Sequence, residues 1–456
     1  MKSTLIVSAL LVGLSAVAGN PTRNFPFFKS AQAPANATDT DVSVFRYDSQ
    51  IFNAANDLQN DVRIFAADGQ EVPFAVQKMT KTKPQIEHNL VPATVKAIKK
   101  QGNNLVILLV PQEHAGMVNG IQLETQAKNF EKMIFTDGSN DGRRWHRVAE
   151  PRLFCDYYDY LPYRNDRIAF PRCNYKIFRL TVVTQAEDKP TPLFAMIPEV
   201  NKTANQKETI KAFREQPNFK IDKIDFIVSR IGAPTVMPIT TGYALNVDSQ
   251  QVKDKNTELM ISSNREPITS LRISSTSANF VRTVNVEIPG AQPEQWQPVS
   301  SSGSNRIFSC DFPSFQRRSL NVEIPETRSA TYRVTIVNND SAPLENIKVE
   351  AVGPVYRGVM AGRQPGELKV FYGGSGNAPV QYDTAGILAK MDKPFETTYD
   401  LGAQEPNPNF NKGLSAKQLK ILLAGLALVV IVIIGFLVLK FVKKDDSHAA
   451  TPPPAA

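Results

Sequence analysis

The residue types best suited to ligand chemistry are concentrated in one short loop, which runs from Phe154 to Tyr163. Tyrosine rings can stack on the apolar faces of a sugar ring, while carboxylates accept hydrogen bonds from its hydroxyl groups. The loop therefore predicts a glycan-binding site. The open alternative is structural, with the tyrosines covering one end of a β-sandwich and the aspartates capping turns. The candidate ligand-binding residues are Asp156, Tyr157, Tyr158, Asp159, Tyr160 and Tyr163.

Residues 137–142 look like the opening of a calcium-binding loop, with oxygen-bearing side chains at alternate positions and Gly142 in the sixth place. Such a loop needs a bidentate glutamate at its twelfth position, where this chain has Val148. Because short Asp- and Gly-containing segments join antiparallel strands, we predict a hairpin turn instead.

A nucleophilic serine is equally poorly supported. Ser375 lies in a glycine-rich stretch without the G-x-S-x-G spacing, and neither His88, His114 nor His146 has an obvious partner. The cysteines and histidines also lack zinc-site spacing. We expect no catalytic residue, no metal and no cofactor.

Both ends of the chain carry apolar segments typical of membrane traffic. The run from Leu5 to Val17, followed by an Ala-x-Ala site, predicts a signal peptide over residues 1–18; the alternative, an N-terminal anchor, would need a longer run. Residues 421–439 contain no charge, and we predict a transmembrane helix over 419–441 rather than a buried soluble helix. Together they imply a type I protein with a cytoplasmic tail, residues 442–456.

The formal net charge is +8. An exported body would not meet intracellular nucleic acid, and the bases are mostly interspersed with acids, so we expect no nucleic-acid partner. One local excess stands out, because the segment from Arg143 to Arg179 contains nine basic residues and four acidic ones. It predicts either a solvated strand face or a patch for an anionic glycan or a lipid headgroup.

An exported chain with three cysteines can form one disulfide within the chain, which leaves one cysteine outside it. Cys155 and Cys173 lie on either side of one loop, and we expect them to form a disulfide. Cys310 is then expected to be buried and free. Its pairing with either of the other two remains the open alternative.

One segment recurs after about 150 residues, which is too long for a solenoid unit and indicates a duplicated β-domain. Asn129-Phe130 matches Asn279-Phe280, and residues 178–180 match residues 332–334. The two tryptophans of the chain also match, so the expected core of the repeat is Phe130, Trp145, Phe280 and Trp296. Arg179 and Arg333 occupy equivalent places, and we expect each to pair with a carboxylate.

Alternating apolar residues and turn signals predict an all-β body built from two tandem antiparallel jelly-roll sandwiches. The first is expected over residues 19–187 and the second over 218–402, with a linker at 188–217. The second is expected to open with the alternating strand at residues 219–228. A polar stalk, 403–418, leads to the transmembrane helix.

Two resemblances follow from these motifs. The segment Ser139–Val148, with Ser-x-Asp-Gly-x-x-Trp-x-x-Val, followed by the apolar-Arg-apolar strand at 178–180, is similar to discoidin-type, galactose-binding-like domains. The second copy lacks the Ser-x-Asp-Gly turn. The order of motifs, including the hairpin at 62–73 and the segments 353–357 and 372–374, also resembles an uncharacterised bacterial family of membrane-anchored proteins. That resemblance implies anchoring in the bacterial inner membrane, a periplasmic body and a multi-spanning membrane partner.

The leading hypothesis is a non-enzymatic envelope protein whose sandwiches bind a glycan or an envelope protein. One alternative is a periplasmic glycan-processing enzyme that uses Asp156 or Asp159. Another is an accessory subunit of a membrane complex.

Overall fold

The structure is a computed structural model. It describes residues 21–34, 41–102, 104–112, 116–157, 161–183, 219–299, 305–312, 315–364, 366–374, 379–388, 391, 395–410, 420, 423–425 and 427–435. The predicted signal peptide, the linker at 188–217 and the tail at 442–456 lie outside the described residues.

The described chain is built almost wholly of strands, as alternation of apolar residues predicts. The N-terminal part contains β1 (Phe27–Gln32), β2 (Val42–Arg46), α1 (Ser49–Ala54), β3 (Val62–Phe65) and β4 (Phe74–Lys78). The next part contains β5 (Thr80–Lys83), β6 (Ile86–Pro92), β7 (Thr94–Gln101), β8 (Asn104–Val110), β9 (Val118–Glu124), β10 (Phe130–Ser139), β11 (His146–Asp156), β12 (Arg164–Asn165), β13 (Arg167–Cys173), β14 (Ile177–Val183) and β15 (Lys223–Ile231).

The remaining elements follow in chain order. They begin with β16 (Thr235–Pro238), β17 (Thr240–Tyr243), β18 (Asn246–Lys253), β19 (Asn256–Ser262), β20 (Ile268–Ser274), β21 (Phe280–Pro289), β22 (Trp296–Pro298), β23 (Arg306–Phe312), β24 (Phe315–Ser319), β25 (Asn321–Thr327), β26 (Thr331–Val337) and β27 (Lys348–Pro354). The C-terminal part contains β28 (Tyr356–Ala361), β29 (Leu368–Tyr372), α2 (Thr384–Leu388), β30 (Glu396–Thr398), β31 (Asp400–Leu401) and β32 (Glu405–Pro406).

Two of the resulting bodies have the same strand order. In the first sandwich, a sheet ordered β12-β11-β10-β14-β8-β7 packs against a sheet ordered β13-β9-β15-β6. In the second sandwich, β24-β23-β21-β26-β19-β18, with β22 added on β21, packs against β25-β20-β27-β17. The pairing is antiparallel throughout both sandwiches. The duplication predicted from the tryptophans is therefore a duplication of whole sheets.

The repeat places equivalent apolar side chains in equivalent cores. Phe130 opens β10 and Phe280 opens β21, and both rings are buried. Each follows an asparagine with positive φ, 51° at Asn129 and 54° at Asn279, a conformation that asparagine tolerates better than most residues. The equivalent turn into each strand fixes which side chains face the core.

A third body, which we call the terminal sandwich, is formed by the two ends of the described chain. Its sheets are ordered β3-β29-β1-β31, with β32 added on β1, and β30-β2-β28-β4. Its core includes Phe45, Phe52, Phe74 and Tyr372. Asn407, which is buried, donates hydrogen bonds to the carbonyls of Thr22 and Phe25 at 2.8 and 2.7 Å. Residues 27–78 and 356–406 thus form one structure, although the sequence assigns them to different sandwiches.

The expected boundary between the two copies is also displaced. The alternating strand predicted to open the second copy is β15, and it pairs with β6 and β9 in the small sheet of the first sandwich. Its Phe226 is fully buried against Phe178 of the opposite sheet, at a ring distance of 4.9 Å. The segment expected to link two domains therefore connects β14 to β15 within one sandwich.

Within the described part of the chain, no helix is both long enough and apolar enough to cross a membrane. Residues 420, 423–425 and 427–435 are helical, while residues 419, 421–422, 426 and 436–441 of the predicted span lie outside the described residues.

Candidate functional site

The tyrosine- and aspartate-rich loop turns its described side chains inward. Tyr157 is 3% exposed, and its hydroxyl donates to Glu131 Oε2 at 2.6 Å. Burial raises the pKa of the Tyr157 hydroxyl well above its usual value. Asp156 is 4% exposed and pairs with Arg164 at 3.3 Å. Neither side chain therefore offers an open face to a sugar.

Of the other candidate residues in that loop, the structure describes Tyr163 alone. Tyr163 is half-buried, and its carbonyl accepts the Tyr157 backbone N–H at 2.9 Å. The guanidinium of Arg317 lies 5.8 Å from the Tyr163 ring centroid. Tyr158, Asp159 and Tyr160 lie outside the described residues.

The expected disulfide between Cys155 and Cys173 is not formed, and all three cysteines carry thiols. Cys155 is fully buried on β11 in the large sheet, whereas Cys173 ends β13 in the small sheet. Burial raises the pKa of the Cys155 thiol to about 12 and that of Cys310 to about 11. These two thiols are therefore buried and neutral, and a buried Cys310 outside any disulfide agrees with the prediction.

Each tryptophan is held by an arginine and a carboxylate in the same arrangement. The Arg179 guanidinium lies 4.4 Å from the Trp145 ring centroid and pairs with Asp137 at 3.0 Å. In the second sandwich, Arg333 lies 4.6 Å from the Trp296 centroid.

Arg333 completes the second arrangement by pairing with Glu287 at 2.7 Å. Asp137 is opposite Arg179 in the β10–β14 ladder, as Glu287 is opposite Arg333 in the β21–β26 ladder. The predicted arginine–carboxylate pairs are thus present in both copies. Cation–π and ionic contacts fix the indole against the outer face of each large sheet. The prediction that Trp145 and Trp296 belong to the core of the repeat is therefore wrong, because both are only half-buried and lie outside the two cores.

The turn that leads to Trp145 is held by its own side chains. Ser139 Oγ accepts the Gly142 N–H at 2.9 Å, and Asp141 Oδ1 accepts the N–H groups of Arg143 and Arg144 at 2.8 Å each. These backbone hydrogen bonds lower the pKa of Asp141. Because Asp141 Oδ1 accepts hydrogen bonds from backbone amides of the same segment, the segment is a hydrogen-bonded turn, as predicted. Among the described residues, no cluster of three metal-ligating side chains occurs.

An aromatic pair flanks this turn. The Tyr175 ring lies directly over Gly138, where a Cβ would come within 2.2 Å of the ring, so only glycine fits there. His146 is opposite Gly138 in the β10–β11 ladder and stacks on Tyr175 with ring centroids 6.1 Å apart. The Lys176 N–H donates to Asn140 Oδ1 at 3.2 Å, which joins the two loops.

Together these residues form a basic, partly aromatic surface at one end of the first sandwich. We call it the basic turn surface and define it by Arg143, Arg144, Trp145, His146, Arg147, Tyr175 and Lys176. Arg147 pairs with Asp137 at 2.7 Å and lies over the Phe135 ring. Arg143, Arg144 and Lys176 are exposed, and in the described structure their side chains form no ion pair.

The second sandwich has the same tryptophan–arginine–carboxylate arrangement but lacks the bases of this surface. We aligned the two copies on their tryptophans and on the arginines that contact them. In this alignment the second copy has Glu294, Gln295, Pro298 and Ala330 where the first has the four bases Arg143, Arg144, Arg147 and Lys176. The places of His146 and Tyr175 are taken by Gln297 and Ser329. The basic turn surface is therefore a property of one copy. The sequence signalled it as an excess of bases between Arg143 and Arg179, but could not separate the paired bases from the others.

One hydrogen-bonded network was missed from the sequence. His88 Nδ1 lies 2.7 Å from Ser229 Oγ, which also accepts a hydrogen bond from the Asn119 side-chain amide at 2.8 Å. His88 and Ser229 are opposite each other in the β6–β15 ladder. Their separation by 141 positions in the chain explains why no sequence spacing reveals the contact.

No protein-family model matches this chain, and no curated protein matches it either. Among solved structures, allantoicase from Saccharomyces cerevisiae aligns at 11% identity and a TM-score of 0.16, covering 57% of this chain and 80% of that one. A truncated AlyQ with CBM32 and alginate lyase domains aligns at 7% identity and a TM-score of 0.19, covering 65% and 98%. A tandem CBM22 domain from Paenibacillus barcinonensis Xyn10C aligns at 8% identity and a TM-score of 0.11, covering 64% and 98%. Scores of this size do not establish a shared fold.

Proposed function

We propose that this protein is a non-catalytic binding protein whose first sandwich recognises an acidic glycan through the basic turn surface. The observation that carries the proposal is the contrast between the two copies. They share the same sheet order and the same tryptophan–arginine–carboxylate arrangement, yet only the first presents exposed bases around it.

The charge of the surface favours an anionic ligand. Asp137 already pairs with Arg147 and Arg179, so its carboxylate does not neutralise the remaining bases. Asp141 makes its hydrogen bonds to the backbone of the turn. Arg143, Arg144 and Lys176 are left to interact with carboxylate, sulfate or phosphate groups of a ligand.

The rings of the surface favour a sugar over a simple anion. Trp145 and Tyr175 are half-buried and His146 is exposed, so aromatic surface lies beside the bases. Aromatic faces stack on the C–H faces of pyranose rings, and their positions are fixed here by Arg179 and by Gly138. A rigid aromatic platform lowers the entropic cost of binding a flexible chain of sugars.

We also propose that the protein is displayed in the periplasm from a bacterial inner membrane, where acidic polysaccharides are accessible. Support for the anchor comes from the uncharged segment 421–439, and support for export comes from the signal-peptide pattern of residues 1–18. An anchored binding module of this kind would hold a glycan near a membrane partner.

The test is an affinity measurement on the purified full-length protein in nonionic detergent. We expect polygalacturonate to bind and neutral dextran not to bind, with an affinity for polygalacturonate that falls as salt rises. The double variant Arg143→Glu/Arg144→Gln gives the first copy the residues of the second. Since exposed ionic contacts are worth up to about 1 kcal/mol each, losing two of them should weaken binding by up to about thirtyfold.

The matched control is Lys253→Gln/Lys348→Glu, which makes the same change of charge at exposed positions of the second sandwich. This control should bind polygalacturonate like the wild type. Equal losses in both variants would mean that total charge matters and the surface does not. Hydrolysis of the polysaccharide by the wild type would favour the glycan-processing alternative.

A further inference from the structure

The small sheet of the first sandwich ends in a strand that, within the described part of the chain, lacks a neighbour on one side. In the order β13-β9-β15-β6, strand β6 is the last, and β15 is its partner. Two of its apolar side chains face solvent, Ile86 at 61% and Leu90 at 45% exposure. Ile231, opposite Ile86 on β15, is 85% exposed. An unpaired backbone edge beside exposed apolar side chains is a site for pairing with another strand.

The edge strands β7, β13 and β25 carry features that discourage pairing, and β6 does not. The neighbouring edge β7 contains Lys96, Lys99 and Lys100 and has a bulge between Val95 and Ala97. Edge strands β13 and β25 both contain a proline and an irregular register. Lysines, prolines and bulges are common protections of exposed edges. Strand β6 has no lysine and no bulge, and its proline stands only at the last position.

The equivalent edge of the second copy is covered within the chain. Strand β17 holds the same end position in its sheet as β6, and it adjoins the terminal sandwich. Its Tyr243 packs edge-on against Phe52 at 6.0 Å and belongs to the apolar surroundings of both cores. The Ile239 N–H beside β17 donates to the Met79 carbonyl at 2.8 Å. In the described structure, one copy of the duplicated edge thus has a protein partner, and the other is open.

We propose that β6 is a self-association edge, at which two copies of this chain pair antiparallel across a two-fold axis. With the axis at His88, Ile86 of each chain faces Leu90 of the other, and Glu87 faces Asn89. This register sets no two like-charged residues opposite each other, and Glu87 lies beside Arg230 of its own chain. The sequence of β6 is therefore complementary to itself, which favours a second copy over a partner of other chemistry.

The pairing joins two small sheets into one continuous sheet and covers the exposed Ile86 and Leu90. Because both chains contribute the same surface, the assembly closes as a dimer. This inference goes beyond the proposed glycan binding and does not depend on it.

The test is disulfide crosslinking of the full-length protein in native membranes with a His88→Cys variant. Residues directly opposite each other in an antiparallel pair have Cβ atoms close enough for a disulfide. We expect mild oxidation to convert most of this variant to a species of twice the chain mass, in which a disulfide joins the introduced thiols of the two chains. The matched control is Thr240→Cys, the equivalent edge position of the second copy, which should give no more dimer than the wild type.

A second variant separates the edge from nonspecific contact. Leu90→Lys adds the kind of charge that protects β7, at a side chain already 45% exposed, so the fold should be unaffected. In the His88→Cys background it should abolish the crosslinked dimer. The proposal is wrong if His88→Cys crosslinks no more than Thr240→Cys, or if the dimer persists after Leu90→Lys.

Discussion

At the scale of single residues, the molecule depends on one repeated arrangement of tryptophan, arginine and carboxylate. In the first sandwich the carboxylate is Asp137, which has a side-chain exposure of 7% and serves both Arg147 and Arg179. In the second it is Glu287, which is 22% exposed and serves Arg333. The carboxylate is therefore more deeply buried in the first copy, where it pairs with two arginines instead of one.

This difference predicts unequal costs of removing the two carboxylates. Asp137→Ala leaves two arginines without their partner, and we expect it to lower the free energy of unfolding by about 2 kcal/mol. Glu287→Ala leaves one arginine at a more exposed site and should cost about 1 kcal/mol. Urea titrations can follow each copy separately, because the two tryptophans of the chain lie one in each sandwich. Trp296→Phe isolates the first copy and Trp145→Phe the second. Equal costs would contradict the prediction.

The cysteines give a second prediction at this scale. Burial raises the pKa of all three thiols, and it is the thiolate that reacts with iodoacetamide. At pH 8, Cys155 and Cys310 are therefore neutral as well as inaccessible, whereas Cys173 is only partly buried. We expect native protein to be alkylated first at Cys173, and the other two only after unfolding in guanidinium. Rapid native labelling of Cys155, detected by mass spectrometry, would contradict its placement.

At the scale of elements, one arginine connects the second sandwich to the terminal sandwich. Arg328, just after β25, donates to the carbonyls of Phe52 and Asn56 at 2.8 Å and of Ala55 at 2.7 Å. It also donates to the Arg265 carbonyl at 3.0 Å and lies over the Phe52 ring at 5.6 Å. One planar guanidinium thus joins the end of α1 to two loops of another body.

Arg328→Ala removes these four hydrogen bonds, including those to the carbonyls of the buried residues Phe52 and Ala55. We expect it to lower the free energy of unfolding by about 3 kcal/mol and to separate the melting of the terminal sandwich into its own calorimetric transition. Arg328→Lys should restore only part of the loss, because an ammonium cannot reach all four carbonyls. Arg318→Ala, at a side chain 64% exposed, is the matched control and should melt like the wild type. An unchanged single transition in Arg328→Ala would contradict this role.

The sequence could predict individual strands, but it could not predict the pairing of strands that lie far apart in the chain. Period-two alternation over residues 219–228 correctly predicted a strand, which the structure places at Lys223–Ile231. It could not report which sheet that strand joins, and the polar stretch before it suggested a domain boundary that the pairing of β15 contradicts. Likewise, nothing local in β1 indicates that its neighbours are β29, β31 and β32, more than 300 residues away.

The candidate site shows the same limit. Composition indicated a sugar-binding loop at 156–163, but whether a tyrosine faces out or in depends on the register of its strand. Tyr157 directly follows β11 and faces in, and its hydroxyl donates to Glu131 on the neighbouring strand β10. The basic excess near Arg143 was visible in the sequence. Only the ladder positions of Asp137, Arg147 and Arg179 separate the paired bases from the others.

At the scale of the whole molecule, duplication produced two similar frames with different surfaces. The first sandwich carries the exposed bases of the basic turn surface and the open edge β6, whereas the second has one acid and otherwise uncharged residues at the equivalent places and contacts the terminal sandwich. We infer that the second copy has become the support of the molecule, while the first has kept its surfaces available for interaction.

The central claim is that the ligand binds at the basic turn surface of the first sandwich and not at the equivalent turn of the second. Hydrogen exchange measured by mass spectrometry, on the full-length protein with and without polygalacturonate, tests it directly. The account predicts slower exchange in peptides covering residues 140–147 and 174–177, with residues 290–297 unchanged. Protection at residues 290–297, or protection confined to regions away from both turns, would contradict it.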